Sequence, residues 1–144
     1  MIVRKTIAVL ALAALGATAV MAQDVIAKRK ELMKGFGAAT GPMGRMLQGA
    51  APFDLATVQA SLTTYQNNAK AAPALFPDGS GSGDTRALPA VFTEKDKFNG
   101  IFAKLAADAA AAATAIKDEA SFKTEMPKVL ANCGACHTPY RKPQ

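Results

Sequence analysis

Near its C-terminus the chain reads Asn132-Cys133-Gly134-Ala135-Cys136-His137-Thr138-Pro139-Tyr140-Arg141. This stretch holds both cysteines and the single histidine of a 144-residue chain. Upstream of it, Phe122, Met126, Val129 and Leu130 recur at helical spacing, with Ser121 as candidate N-cap and Pro127 in the second turn. On such a helix Cys133, Cys136 and His137 stand at i, i+3 and i+4 and project from one face. Two thiols on that face can add to the two vinyl groups of one porphyrin, and the neighbouring imidazole can offer a nitrogen to its iron. Cys-x-x-Cys-His is the attachment motif of c-type haem. Gly134 and Ala135 are small, which leaves room for the edge of the macrocycle.

Three other chemistries use paired cysteines. A thiol oxidoreductase site sits at the start of a helix in a βαβ setting, whereas here the pair lies toward the end of a helix. A structural zinc site takes about four ligands, and only three soft ones exist. A plain disulfide leaves the adjacent, solitary histidine unexplained.

Moving outward, three more segments have helical character and none reads as a clear strand. Segment A starts near Gln23 and carries Ile26, Met33 and Phe36 close to one face. It passes through Gly35, Gly37, Gly41 and Pro42, which weaken a helix, and resumes with Met43, Met46 and Leu47 to end near Gly49. Segment B takes Asp54 as N-cap, places Leu55, Val58, Leu62 and Tyr65 on one stripe, and ends near Ala71. An irregular stretch from Ala72 to Phe92 follows, with Pro73, Pro77, Pro89 and the run DGSGSGD. Segment C takes Thr93 as N-cap and runs through Phe98, Ile101, Phe102 and Leu105 to about Ile116. Segment D is the cysteine helix. Four amphipathic helices with short A–B and C–D links imply an all-α fold, an antiparallel up-down-up-down four-helix bundle with one covalently bound haem c.

The first 22 residues read as something other than fold. Arg4 and Lys5 precede an uncharged run from Ile7 to Ala22, shorter than the roughly 20 residues a bilayer span needs. The run ends in Val20-Met21-Ala22, a small-residue cleavage site. The expectation is a signal peptide over 1–22, a bundle domain over 23–144, export to the periplasm, and no stable membrane span after cleavage. Half of the residues are hydrophobic, which excludes wholesale disorder. The formal net charge is +6 and lacks long basic runs, so no nucleic acid partner is implied. A single imidazole also makes serine-hydrolase or zinc-peptidase chemistry a poor fit, and no substrate is expected to be transformed: the chain reads as a non-enzyme.

Haem iron held by one histidine has a second face, and its occupant sets reactivity. No second histidine exists, and lysines are ordinarily protonated, which leaves methionine, water or nothing. With segments A and D antiparallel, Met33 and His137 fall roughly 15 and 10 Å from the same end of the bundle, at 1.5 Å per residue. Met33 can therefore flank the haem, either bound to iron or as a thioether filling a helix interface. Met43, Met46 and Met126 lie farther along and are expected in the core.

The chain resembles the class II cytochromes c, the four-helix-bundle group that contains cytochrome c-prime and the low-spin cytochrome c-556. The resemblance spans residues 23–144. It rests on the Cys133–His137 motif followed by Tyr140-Arg141, similar to the family's CxxCHxx(F/Y)R ending, and on Arg29-Lys30-Glu31-Leu32-Met33 in segment A. It implies Cys133 and Cys136 as haem thioethers and His137 as proximal axial ligand. It further implies Met33 as distal ligand, as in the c-556 branch, which is assigned to electron transfer with redox partner proteins in the periplasm. The alternative is the c-prime branch, whose iron is five-coordinate and high spin and binds nitric oxide or carbon monoxide. By the same resemblance Arg29 and Arg141 lie near the haem, where they can pair with propionates. Tyr140 is expected at the haem edge and Phe36 near the distal face. The family often dimerises through its first two helices, so a homodimer through segments A and B is admitted, with Met43, Met46 and Leu47 either as apolar surface for it or buried within the monomer.

Overall fold

The computed structural model describes the backbone of residues 2–143 and the side chains from Gln23 to Pro143. Its helices are α1 (Ile2–Leu47), α2 (Leu55–Ala71), the short α3 (Ala90–Thr93), α4 (Lys95–Ala115) and α5 (Glu119–Tyr140), with a 3-10 turn at Ala72–Leu75. The expected leader, residues 1–22, and its cleavage site lie outside the residues whose side chains are described.

Local chemistry explains most boundaries. Asp54 caps α2 by accepting from the backbone N–H groups of Ala56 and Thr57. The helix α1 runs through Pro42 without breaking and stops at Leu47. There Gly49 adopts φ 71°, the Ala50 N–H donates to Arg45 O at 2.8 Å, and the Gly49 N–H donates to Met46 O at 3.1 Å. That is a Schellman stop, and it needs a residue without Cβ strain at the left-handed position. Two predicted caps move. Thr93 closes α3 instead of opening α4, which starts at Lys95. Helix α5 starts three residues earlier than expected, with Asp118 as N-cap. Ser121 is the third helical residue of a capping box: its N–H donates to the Asp118 carboxylate at 2.8 Å while its hydroxyl receives the Asp118 N–H at 3.1 Å.

The four long helices make an antiparallel four-helix bundle, as predicted. Helix α2 packs on α1 and α4, and α4 packs on α5. At one end the core is closed: Met43 of α1, Val58 and Leu62 of α2, Ile116 after α4, and Phe122 and Met126 of α5 are all fully buried. Met43 and Met46 are internal to one subunit, as expected of core methionines, and so are not the apolar surface of a dimer. Helices α1 and α2 approach closely at Gly35, where a Cβ would stand 2.9 Å from Asn68 Nδ2. At the other end α1 and α5 do not pack on each other, and a cleft takes the place of their interface.

The closed end anchors the bundle. Phe122 is 0% exposed and its ring lies 5.6 Å from that of Phe53. Phe122→Ala is expected to cost about 3–5 kcal/mol of unfolding free energy, the usual loss for a buried phenylalanine. Urea denaturation of the haem-loaded protein checks this. A loss under about 1 kcal/mol would mean that the closed end contributes little.

Candidate cofactor cleft

Helix α5 carries Cys133, Cys136 and His137 on its inner face, and all three line a cleft of about 790 Å³. That volume lies within the roughly 300–1,000 Å³ of ordinary cofactor sites. Helix α1 forms the opposite wall with Ile26, Met33 and Phe36; the far wall is aromatic, built from Phe76, Phe98 and Phe102. Phe98 meets Phe76 and Phe102 edge-on, with centroids 4.7 and 5.2 Å away. A smaller apolar hollow of about 60 Å³ adjoins, bordered by Met33, Phe36, Leu105, Cys133, Cys136 and His137 among others.

The electrostatics suit covalent capture of a planar ligand better than thiol redox chemistry. Cys133 and Cys136 are unbridged. Burial pushes the Cys136 thiol up to about 11, helped by its neighbour Cys133 and opposed by Arg141. Burial likewise raises Cys133. Both therefore stay protonated near neutral pH, unlike the thiolate of a disulfide catalyst. Burial holds the His137 imidazole below its ordinary value, with Arg141 and Arg86 adding to the effect. A neutral imidazole keeps a lone pair for a metal. No carboxylate lines the cleft among the described residues, so nothing there completes a zinc cage.

The cleft gathers every residue predicted for the site: Cys133, Cys136, His137, Met33, Arg29, Phe36, Tyr140 and Arg141. Phe36 packs against Tyr65 with ring centroids 5.4 Å apart and the planes tilted by 38°. The Tyr65 hydroxyl, raised by burial, donates to Thr40 Oγ1, which in turn donates to Phe36 O at 2.7 Å. Tyr140 is 5% exposed, packs edge-on to Phe98 and donates to Glu94 Oε2 at 3.1 Å.

Arg29 behaves differently from a solvated helix arginine. It is 5% exposed and sits 4.4 Å over the Phe76 ring. Its guanidinium donates to Leu75 O at 2.5 Å, to Ser80 O at 2.9 Å and to the Ser80 hydroxyl. Those bonds tie the irregular stretch after α2 onto α1 as one wall of the cleft. The stretch closes on α5 through a single antiparallel bridge, Ala87 with Arg141, flanked by Leu88 N–H to Tyr140 O at 2.9 Å and Lys142 N–H to Arg86 O at 2.8 Å. Phe76, Arg86 and the bridge were not legible in the sequence, because a proline- and glycine-rich stretch carries no periodicity to assign a face.

A helical bundle whose last helix offers two thiols and one imidazole to a largely apolar slot is built as a c-type haem protein. The sequence model of the family described as Cytochrome C' matches residues 24–141. The chain belongs to this cytochrome c′ family and carries one covalent haem c per subunit. It is 51% identical over 124 residues to a cytochrome c′ of Rhodopseudomonas palustris, covering 85% of each chain. It is 41% identical over 126 residues to a cytochrome c-556 of Agrobacterium fabrum, covering 87% of this chain and 86% of the relative. The solved structure of cytochrome c′ from Rhodopseudomonas palustris superposes with TM-score 0.82 at 50% identity, covering 84% of this chain and 98% of the other. Among the described residues no helix is long and apolar enough to cross a membrane.

Proposed function

We propose that the protein is a periplasmic one-electron carrier of the c-556 kind, with low-spin iron held by His137 and Met33. The observation that carries this reading is the position of Met33, on the α1 wall of the cleft that His137 enters from α5, and beside the small hollow as well. When bound, haem supplies a metal that cycles between two oxidation states one electron apart. The chain's part would be to hold the metal through His137 and Met33, so that little rearranges on electron transfer, and to keep water away with Phe76, Phe98 and Phe102. A thioether ligand favours the reduced metal, and an apolar wall does the same. On this reading the chain passes an electron on and transforms no substrate. Residues 1–22 direct export and are removed.

A second reading follows from the 51% identity to a protein named cytochrome c′. In it Met33 shields an open coordination position, and the iron binds nitric oxide or carbon monoxide. Optical and EPR spectra of the purified ferric protein separate the two. Low-spin spectra, with carbon monoxide binding slow or absent after reduction, are expected. A high-spin ferric spectrum with rapid carbon monoxide binding would overturn the carrier reading.

A further inference from the structure

Helix α5 meets the other long helices chiefly through α4. Two buried polar side chains of α5 cross that interface, and they bracket the cysteine–histidine stretch. Asn132, the residue before Cys133, is 4% exposed and donates through Nδ2 to Asp108 Oδ2 at 2.7 Å and to Val129 O at 3.1 Å. Tyr140, the last residue of α5, donates to the carboxyl group of Glu94, the residue just ahead of α4. Lys104, and after it Asn132, hold the Asp108 carboxyl below the ordinary carboxylate range. Asp108 therefore accepts as an anion, and a charged acceptor makes the stronger bond.

The apolar packing nearby does little to fix the register of the two helices. Past Leu105 the buried residues of α4 are alanines, Ala109 and Ala112. They lack the protruding ridges that lock one helix into the grooves of another. Small side chains tolerate a slip or a turn, whereas a buried amide does not, because the slip strands its donors. Turning α5 by about 10° would carry a side-chain tip, some 5–6 Å off the axis, through roughly 1 Å. A functional group has to be held within about 0.5 Å. His137 borders the same small hollow as Asn132, so it would move with that turn.

We propose that Asn132 and Tyr140, bonded to Asp108 and Glu94, are positioning residues that set the rotation of α5 on α4 and through it the place of the His137 imidazole against the haem. The proposal rests on His137 as axial ligand, which both functional readings share, and is independent of Met33.

The test is proton NMR of the haem-loaded ferric protein, whose haem-methyl resonances are spread by the orientation of the axial imidazole. Asn132→Leu and Asp108→Ala should move the same methyl resonances in the same sense, by several parts per million. The double variant should move them no farther than either single one, as expected of two partners in one bond. Asp108→Asn keeps an oxygen acceptor for Asn132 and should leave the resonances in place. Tyr140→Phe removes one hydroxyl and should produce a shift of its own. Asp108→Ala leaves the sequence of α5 intact, so it carries the test if Asn132→Leu fails to retain haem. Methyl resonances unmoved in Asp108→Ala or in Tyr140→Phe would overturn the role of that bond, even with a lowered melting temperature. Shifts from Asn132→Leu and Asp108→Ala that simply add would do the same for the first pair. The strongly shifted ring protons of an iron-bound histidine, sought in the parent protein, report separately on the ligand. Their presence with unmoved methyls defeats the positioning role and spares His137 as ligand, and their absence defeats both.

Discussion

Met33→Ala is expected to turn the ferric protein from low spin to high spin and to open its reduced form to fast carbon monoxide binding. Met33 comes from α1 and His137 from α5, with one cleft between them. No other histidine exists in the chain to replace a lost sulfur ligand. The described methionines nearest the problem, Met43, Met46 and Met126, are committed to the closed end of the core. Loss of the thioether should also cost stability, toward the lower end of the roughly 2–5 kcal/mol typical of Met→Ala because the side chain is only partly buried. Met33→Leu separates the two effects. It keeps most of the apolar volume and should recover the stability without the low-spin spectrum. A Met33→Ala protein with the parent spectrum would remove Met33 from the coordination sphere.

The second large effect concerns attachment. Cys133→Ala with Cys136→Ala is expected to yield a protein that loses haem to organic extraction and whose helical signal melts early and broadly. The argument is one of volume. A sealed apolar void of about 790 Å³ would cost about 19 kcal/mol at some 24 cal/mol per Å³, above the 5–15 kcal/mol that holds a whole domain together. The cleft is open on one side and water lowers that figure, yet the Gln23–Gly37 portion of α1, which borders the cleft, should loosen first. Hydrogen exchange should show those amides exposed while Leu62, Phe122 and Met126 stay protected. A variant that melts like the parent would show that the walls stand without help from the cofactor.

The sequence and the structure agree where periodicity or side-chain chemistry acts over a few residues. Asp54 is a cap because its carboxylate reaches two amides within one turn, and the cysteine motif is legible because spacing alone puts three ligands on one helical face. Asp118 was missed for a related reason: Ser121 is also a good cap, and only the reciprocal bonds of the box decide which residue holds that position. Arg29 lines the cleft, but its burial depends on carbonyls of Leu75 and Ser80, some fifty positions away, and no local pattern encodes that. The separation of α1 from α5 was equally invisible. Their stripes look like any pair of packing faces, and the ligand that would fill the space between them is not in the amino-acid code.

On the carrier reading, that separation would make a porphyrin gripped by residues 33 and 137 a molecular rivet between the two ends of the chain. It would close a ring of roughly a hundred residues, the size for which a disulfide restricts the unfolded chain by about 4.7 kcal/mol in the loop-entropy account. Reversible opening of a single iron–sulfur bond would then act as a latch on the whole ring, coupling the electronic state of the metal to how readily the molecule breathes.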